Sequence, residues 1–261
     1  MQLTPENYYS QEANEAYMSA SFVKGMRRCE AATMAEMRGE WKRPDSTALL
    51  QGQFVDECLT GDFGSWVLKH PEISKRDGNL KAEFTQCSEM VRRAQRDDLF
   101  MEYMKGEHQM IVTGPLFGFP FKAKFDVLGA DRIVDLKTVK DMNSVYLPGQ
   151  GRVDFATAWD WPLQMAIYQA IFEEVTKVKM PCYLAVITKE SPADLAIVEI
   201  EQERMDAELE WLKQRMPRIE ALKEGIIEPE RCGNCAYCRE THKLTGPVKL
   251  GEYDEFGGNE E

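Results

Sequence analysis

Apolar positions recur along this chain in two rhythms, and the change between them divides it. After a polar opening over residues 1–18, "SASFVKGMRRCEAATMAEMR" sets Phe22, Met26, Cys29 and Thr33 on one helical stripe, which Ser21 can cap and which runs to about residue 38. A second helical pattern restarts after Pro44, with Asp45 or Ser46 as cap, and ends at Gly61; a third, rich in charge, covers 80–105. The period then shortens. "HQMIVTG", "FPFKAKFDVLG" and "DRIVDLKTV" read as three strands separated by turn residues. "WDWPLQMAIYQAIFEEV" returns to helix, with Asp160 as cap and Pro162 in the first turn. "CYLAVIT" and "DLAIVEIE" predict two further strands, and "QERMDAELEWLKQRMPRIEALKEG" a long amphipathic helix bent at Pro217. The order predicts an α/β fold: a mixed central sheet flanked by helices, with a helical cap from the N-terminus and a cysteine-rich C-terminal segment. Residues 19–245 read as one domain, 1–18 as an N-terminal arm and 246–261 as an acidic flexible tail.

Composition narrows the setting. The 261 residues are 43% hydrophobic and 29% charged, as in ordinary soluble globular chains. No stretch approaches the ~20 apolar residues of a membrane span, and the N-terminus lacks the basic start and apolar core of a signal peptide. The cytoplasm is the expected location. Seven cysteines in a reducing compartment argue for metal ligation or burial rather than a disulfide framework. The net charge of -12 speaks against indiscriminate nucleic-acid binding but leaves room for a local basic groove.

The stretch "FKAKFDVLGADRIVDLKT" places charge where a hairpin should be apolar. Alternation along a strand sends Asp135 and Lys137 to one face, and the "LGADR" turn folds the strand ending at Asp126 back beside them. Two carboxylates and an ammonium can then converge. Such oxygen donors suit Mg²⁺ or Mn²⁺, which also take up phosphate oxygens, while a lysine can position water or stabilise developing charge. Gln164 and Tyr168, four apart, share one face of the following helix. Lys122 and Lys124 accompany Asp126, and Arg92, Arg93, Arg96, Lys140 and Arg152 could line a groove, with Tyr146, Trp159 and Trp161 available to stack on unpaired bases.

Cys232, Cys235 and Cys238 form a C-x₂-C-x₂-C run, a ligand pattern for three corners of a [4Fe–4S] cluster; zinc is the alternative, with His242 as a possible substitute ligand. Cys29, Cys58, Cys87 or Cys182 could supply the fourth ligand.

Asp126, "IVDLKT" and Gln164-x-x-x-Tyr168 resemble the PD-(D/E)XK nuclease superfamily, and more closely its RecB-like and RecE-like exonuclease branch, often phage-encoded. The resemblance extends over most of residues 5–245. It implies a restriction-endonuclease-like αβββαβ core and a metal-dependent DNA exonuclease that resects double-stranded ends in phage or prophage recombination. By the same resemblance, Asp126 and Asp135 would be metal ligands, Lys137 the catalytic lysine, and Gln164 and Tyr168 strand-positioning groups. A single-strand annealing recombinase and a homo-oligomer are the implied partners. Iron–sulfur members of the branch carry one cysteine before the nuclease motifs and three after them, which assigns Cys29 as the fourth ligand. Two departures stand out. The branch's Gly-x-x-x-His-x-x-x-Glu helix becomes Gly52, Asp56 and Thr60, with Asp56 a candidate metal ligand and Glu57 a weaker one. The last cysteine spacing is also shorter than usual. Alternative readings are a catalytically impaired nuclease fold that binds DNA or protein, and a zinc-stapled interaction protein with no DNA role.

Overall fold

One strand, β3 (Phe119–Leu128), organises the sheet. Its inward positions Phe121, Ala123, Phe125 and Val127 are buried, while Lys122, Lys124 and Asp126 occupy the other face. β2 (Glu107–Leu116) pairs antiparallel along one edge through a two-residue turn, Phe117-Gly118, with both residues at positive φ (54° and 85°), the geometry of a type I′ hairpin. The other edge is shared. β1 (Met18–Ser19) runs parallel to residues 121–122, and β4 (Ile133–Val139) pairs antiparallel only at residues 127–128. β4 then runs parallel to β7 (Cys182–Thr188), which pairs antiparallel with β8 (Leu195–Glu199). β5 (Val145–Leu147) and β6 (Gly151–Val153) form a separate hairpin. The structure, a computed structural model, describes residues 1–244, 246, 247 and 249; apart from those last three positions, the expected acidic tail lies outside the described residues.

Helices cover both faces. On one side α2 (Ala20–Arg28), α9 (Trp161–Thr176) and α10 (Gln202–Lys223) enclose Phe125, Leu184 and Val186; on the other, α4 (Thr47–Leu59), α6 (Ala82–Gln95) and α7 (Asp98–Tyr103) enclose Val134, Leu136 and Ile187. Each large apolar side chain so withdrawn from water contributes about 1.5–3 kcal/mol. Being covered on both faces explains why Ile133, Val134, Leu136 and Val139 of β4 are all buried, although they do not share one face of the strand. The mixed sheet with helical layers is the restriction-endonuclease-like architecture.

Four expectations are corrected. The helix expected over 21–38 is two helices, α2 and α3 (Glu30–Met37), because Cys29 is extended (φ -164°, ψ 105°); Gly25 lets them touch, since a Cβ there would stand 2.6 Å from Thr33 Oγ1. Its cap is Ser19, not Ser21. The helix expected over 80–105 breaks where Asp97 accepts from the Phe100 N–H and starts α7. Residues 1–18 are not a free arm. They form α1 (Gln11–Ala16), bury Tyr8 and supply Tyr8 O and Asn14 Oδ1 as acceptors for the Lys122 ammonium at 2.6 and 2.7 Å. A lysine on that sheet face needs such partners. Short helices α5 (Phe63–Lys69) and α8 (Phe155–Ala158) and the C-terminal α11 (Ala236–Glu240) complete the chain, and Pro217 lies inside α10.

Candidate active site and thiol centre

The shared edge of β3 makes the site. Between β1 and β4, residues 123–126 have no backbone neighbour on that side, so the ladder opens at Asp126. The Asp126 carboxylate fills part of the gap: Oδ2 accepts from the Leu136 backbone N–H at 2.8 Å. β4 has turned toward β7 by then and carries Asp135 and Lys137 into the same opening. A cavity of about 570 Å³ results, lined by Asp56, Asp126, Asp135, Lys137, Gln164 and Tyr168 among others.

A chain of polar contacts runs through it. Lys137 forms an ion pair with Asp135 Oδ2, Gln164 Nε2 donates to Asp135 Oδ1 at 2.8 Å and to the Tyr168 hydroxyl at 3.3 Å, and Lys24 Nζ donates to Gln164 Oε1 at 2.6 Å. Eleven of the sixteen α9 residues are buried, so its amide must be satisfied inside the protein. Burial, then the neighbouring charges of Asp135 and Asp56, pushes Asp126 well above the usual carboxylate range. Burial alone would lower Lys137, but Asp135 and Asp126 outweigh it and hold the ammonium above its usual value. Burial, then the charge of Lys137, pulls Lys24 down to about 8.

Asp56 faces the cavity from α4. Thr60 Oγ1 donates to its Oδ1 at 2.7 Å, and the Gln109 amide reaches both its oxygens at 3.2 and 3.3 Å. Burial raises the Asp56 carboxyl, with the Thr60 hydrogen bond opposing. This donor set fits a hard divalent cation: three carboxylates share one cavity, and the buried Oδ2 of Asp135 has no partner except the Lys137 ammonium.

The thiols make a tighter centre. Sγ atoms of Cys29, Cys232, Cys235 and Cys238 all lie within 4.8 Å of one another, with Cys29 to Cys238 at 3.6 Å and Cys232 to Cys238 at 3.9 Å. Among the described residues this is the one set of three or more ligand side chains so closely gathered; Asp56, Asp126 and Asp135 do not reach that spacing as a trio. The Cys235 N–H points to Cys232 Sγ at 3.3 Å and the Cys238 N–H to Cys235 Sγ at 3.4 Å. Burial alone would raise the Cys232 thiol, but the backbone N–H groups of Cys235 and Asn234 and the neighbouring thiols hold it at about 7. Burial raises the Cys29 thiol and pushes Cys235 up to about 12, so the centre offers four gathered sulfurs, one of them disposed to ionise, as donors for a thiophilic metal.

The family model for a "PDDEXK-like domain of unknown function (DUF3799)" matches residues 19–241. The chain belongs to this PD-(D/E)XK family. It is 38% identical, over 97% of its own length and 98% of the other chain, to a protein from Eubacterium rectale whose crystal structure is described as that of a "putative exonuclease", with a TM-score of 0.93. A second solved structure, SSO0001, shares 13% identity over 80% of this chain and 90% of its own; its TM-score of 0.29 supports no comparison. No curated protein matches.

Within this PD-(D/E)XK chain, Asp56, Asp126, Asp135, Lys137, Gln164 and Tyr168 meet in one cavity that the weaker candidate Glu57 does not line, and Cys29 meets the cysteine triplet across 209 residues. Cys58, Cys87 and Cys182 lie elsewhere, and His242 is outside the thiol set. Asp160 stands at the N-cap of α9 in a left-handed conformation, yet its carboxylate pairs with Arg27 and Arg28 instead of capping. Arg92 pairs with Glu89 on α6 and Arg93 with Asp97 at the start of α7, and neither lines any part of the cavity; Arg96, Lys140 and Arg152 do not line it either. Lys122 and Lys124 both line it; the Lys124 ammonium lies over the Tyr9 ring, and the Lys122 ammonium is held by the N-terminal segment. Two polar groups were missed. Lys24 gave no signal, since a lysine on an amphipathic helix reads as solvated. Gln109, at φ 55°, interrupts the β2–β3 pairing to reach Asp56, and no pattern marks such a turn.

No helix among the described residues is long and apolar enough to cross a membrane.

Proposed function

We propose that the chain is a divalent-metal-dependent deoxyribonuclease that degrades linear duplex DNA from its ends. The observation that carries this reading is the convergence of Asp126, Asp135 and Lys137 at the one gap in the sheet. Asp126 and Asp135 would hold the cation, with Asp56 a further candidate ligand. When bound, that ion supplies Lewis-acid stabilisation of phosphate charge and makes water a better nucleophile. The chain's own groups do the rest. Lys137 is an ammonium at neutral pH, so it acts by donating to the attacking water or to the developing phosphate charge, not as a base. Gln164 fixes the Asp135 carboxylate, and because it donates to the Tyr168 oxygen, the phenolic hydrogen is free for a phosphate. The description of the Eubacterium rectale relative favours an exonuclease over an endonuclease. The recombination role, the annealing partner, the oligomer and a cytoplasmic setting rest on the resemblance and the composition.

Incubation with linear duplex in Mg²⁺ tests it. Wild-type protein should shorten linear DNA and spare covalently closed circles, and Lys137→Ala should leave both intact; equal behaviour of the two proteins overturns the enzymatic reading. In that event the alternative of a binding module gains weight, favoured by Asp56, whose oxygens are already engaged by Thr60 and Gln109.

For the thiol centre, the spacing favours a single tetrahedral ion such as zinc. Zinc–sulfur bonds of about 2.3 Å place tetrahedral sulfurs ~3.8 Å apart, close to the 3.6 and 3.9 Å found. A [4Fe–4S] cluster binds each thiolate at a different iron, which spreads the sulfurs further. Metal analysis of protein purified without oxygen distinguishes them: one zinc and no colour supports the single ion, and a brown iron-loaded protein restores the cluster.

A further inference from the structure

Beside the thiol centre, and outside the catalytic cavity, lies a second cavity of about 330 Å³ whose wall carries Arg27, Arg28, Arg215, Arg218 and Arg231 against only two carboxylates, Glu30 and Glu230. In a chain with a net charge of -12, such an arginine island is not a sample of the average surface. We infer that it is a binding pocket for single-stranded DNA, taking one nucleotide unit of the strand that enters or leaves the catalytic cavity; this rests on the deoxyribonuclease reading above.

The arginines divide into holders and free donors. Arg27 pairs with Asp160 and Glu208, and Arg218 grips Glu30 through two nitrogens at 2.6 and 2.8 Å and also reaches Glu230. These pairs fix the wall. Among the described residues, neither Arg215 nor Arg231 forms a close ion pair, although Glu30 lies within electrostatic reach of Arg215: Arg231 donates to Cys238 O and Thr241 Oγ1, and Arg215 stands near the Trp211 ring at 5.9 Å. The remaining N–H groups of these two exposed guanidinium groups, beside a cavity, are donors suited to phosphate oxygens. Aromatic faces accompany them. The Arg27 guanidinium lies 3.7 Å over the Trp211 ring, and the Arg28 guanidinium 5.8 Å from the ring of Trp159, which is 51% exposed. Indole and guanidinium planes beside backbone-binding cations are what an unpaired strand requires. The cavity volume suits one nucleotide and not the breadth of a duplex.

Its position links it to the reaction. Asp160 ties Arg27 and Arg28 to the start of α9, the helix that presents Gln164 and Tyr168, while the next residue, Trp161, has the Lys137 ammonium 5.7 Å over its ring. The segment 159–161 therefore contacts lining residues of both cavities, Arg27 and Arg28 of one and Lys137 of the other. Cys29 and Cys232 line the arginine pocket, so two residues of the thiol centre form part of its wall.

The test is fluorescence anisotropy of a 5′-labelled oligothymidylate of about 16 nucleotides, with Ca²⁺ replacing Mg²⁺ to prevent cleavage and with the full chain in every case. Arg215→Glu and Arg231→Gln should each weaken binding about tenfold, and each should lower the slope of log affinity against log salt by about 0.7; Lys75→Gln, an exposed charge removed elsewhere, should not. Arg215 and Arg231 are exposed, and unchanged melting temperatures certify the folds. Oligonucleotide binding that ignores both arginines overturns the pocket while leaving the nuclease reading intact, because degradation of linear duplex in Mg²⁺ and its loss in Lys137→Ala are scored separately. Arginine-dependent binding of blunt duplex but not of the oligothymidylate overturns the single-strand assignment. A wild type that binds no oligothymidylate also overturns the pocket, and its degradation assay then decides the nuclease reading on its own.

Discussion

The two ligand clusters of this molecule are built on opposite plans. The thiol centre is geometrically finished: four sulfurs within 4.8 Å, brought together from positions 209 residues apart in chain order, with backbone N–H groups already aimed at them. The carboxylate cavity is electrostatically unfinished. Its acids are spread more widely, Asp126 is driven toward its neutral form, and a single ammonium answers the inner oxygen of Asp135. One is arranged so that a single metal could be held rigidly. The other leaves an open cavity of about 570 Å³ around its like charges.

That contrast can be broken by substitutions. The largest effect should come from the finished centre. Cys235→Ser or Cys238→Ser should release the metal and lower the denaturant midpoint sharply, since structural zinc binds small domains with about 10 kcal/mol or more; Cys87→Ser, a buried thiol outside the set, should leave metal content unchanged. Lys137→Ala should reduce DNA degradation by about 10³-fold, with metal content and melting temperature close to wild type; a collapse of the fold instead would mean that the two regions are not separable. Brief EDTA treatment should stop degradation and added Mg²⁺ should restore it, because the weaker oxygen site empties before the thiol site does. Lys24→Met should cost less, about 10-fold in rate, by freeing the Gln164 amide to rotate away from Asp135; the loss should appear in kcat more than in KM. The smallest effect is a pH dependence at the edge of the carboxylate cavity, where Lys122 is tied to the N-terminal segment. Burial pulls Lys122 from 10.5 down to about 8. Across that interval the unfolded chain binds the proton more tightly, so wild-type stability relative to Lys122→Met should rise from about pH 8 to 10.5 and be flat below about 8. Denaturant melts at several pH values check it.

What could be read beforehand follows from which forces are local. Strand alternation put Asp135 and Lys137 on one face, helical spacing put Gln164 beside Tyr168, and the cysteine triplet declared itself by spacing alone. The break at Cys29 could not be read, because that residue lies on an apolar stripe that continues past it; the interruption is set by distant contacts, such as Ala31 N–H to Glu230 O at 3.0 Å. Lys24 acquired its role only when α2 was laid across α9. Residues 1–18 looked solvated because their contribution is mostly backbone and amide acceptors for a lysine more than 100 residues away. Asp97, as a mid-pattern cap, was hidden by the charge around it.

The extended residue at Cys29 has one more effect. α2 carries Lys24 near its middle and ends at a thiol whose three companions arrive only with residues 232–238. During synthesis every acid, amide and lysine of the cavity leaves the ribosome before the last three thiols do. A product truncated ahead of the triplet would therefore contain the whole carboxylate cavity yet leave Cys29, at the end of the helix that carries Lys24, without its three companions. The thiol centre is thus the part of the molecule that forms last.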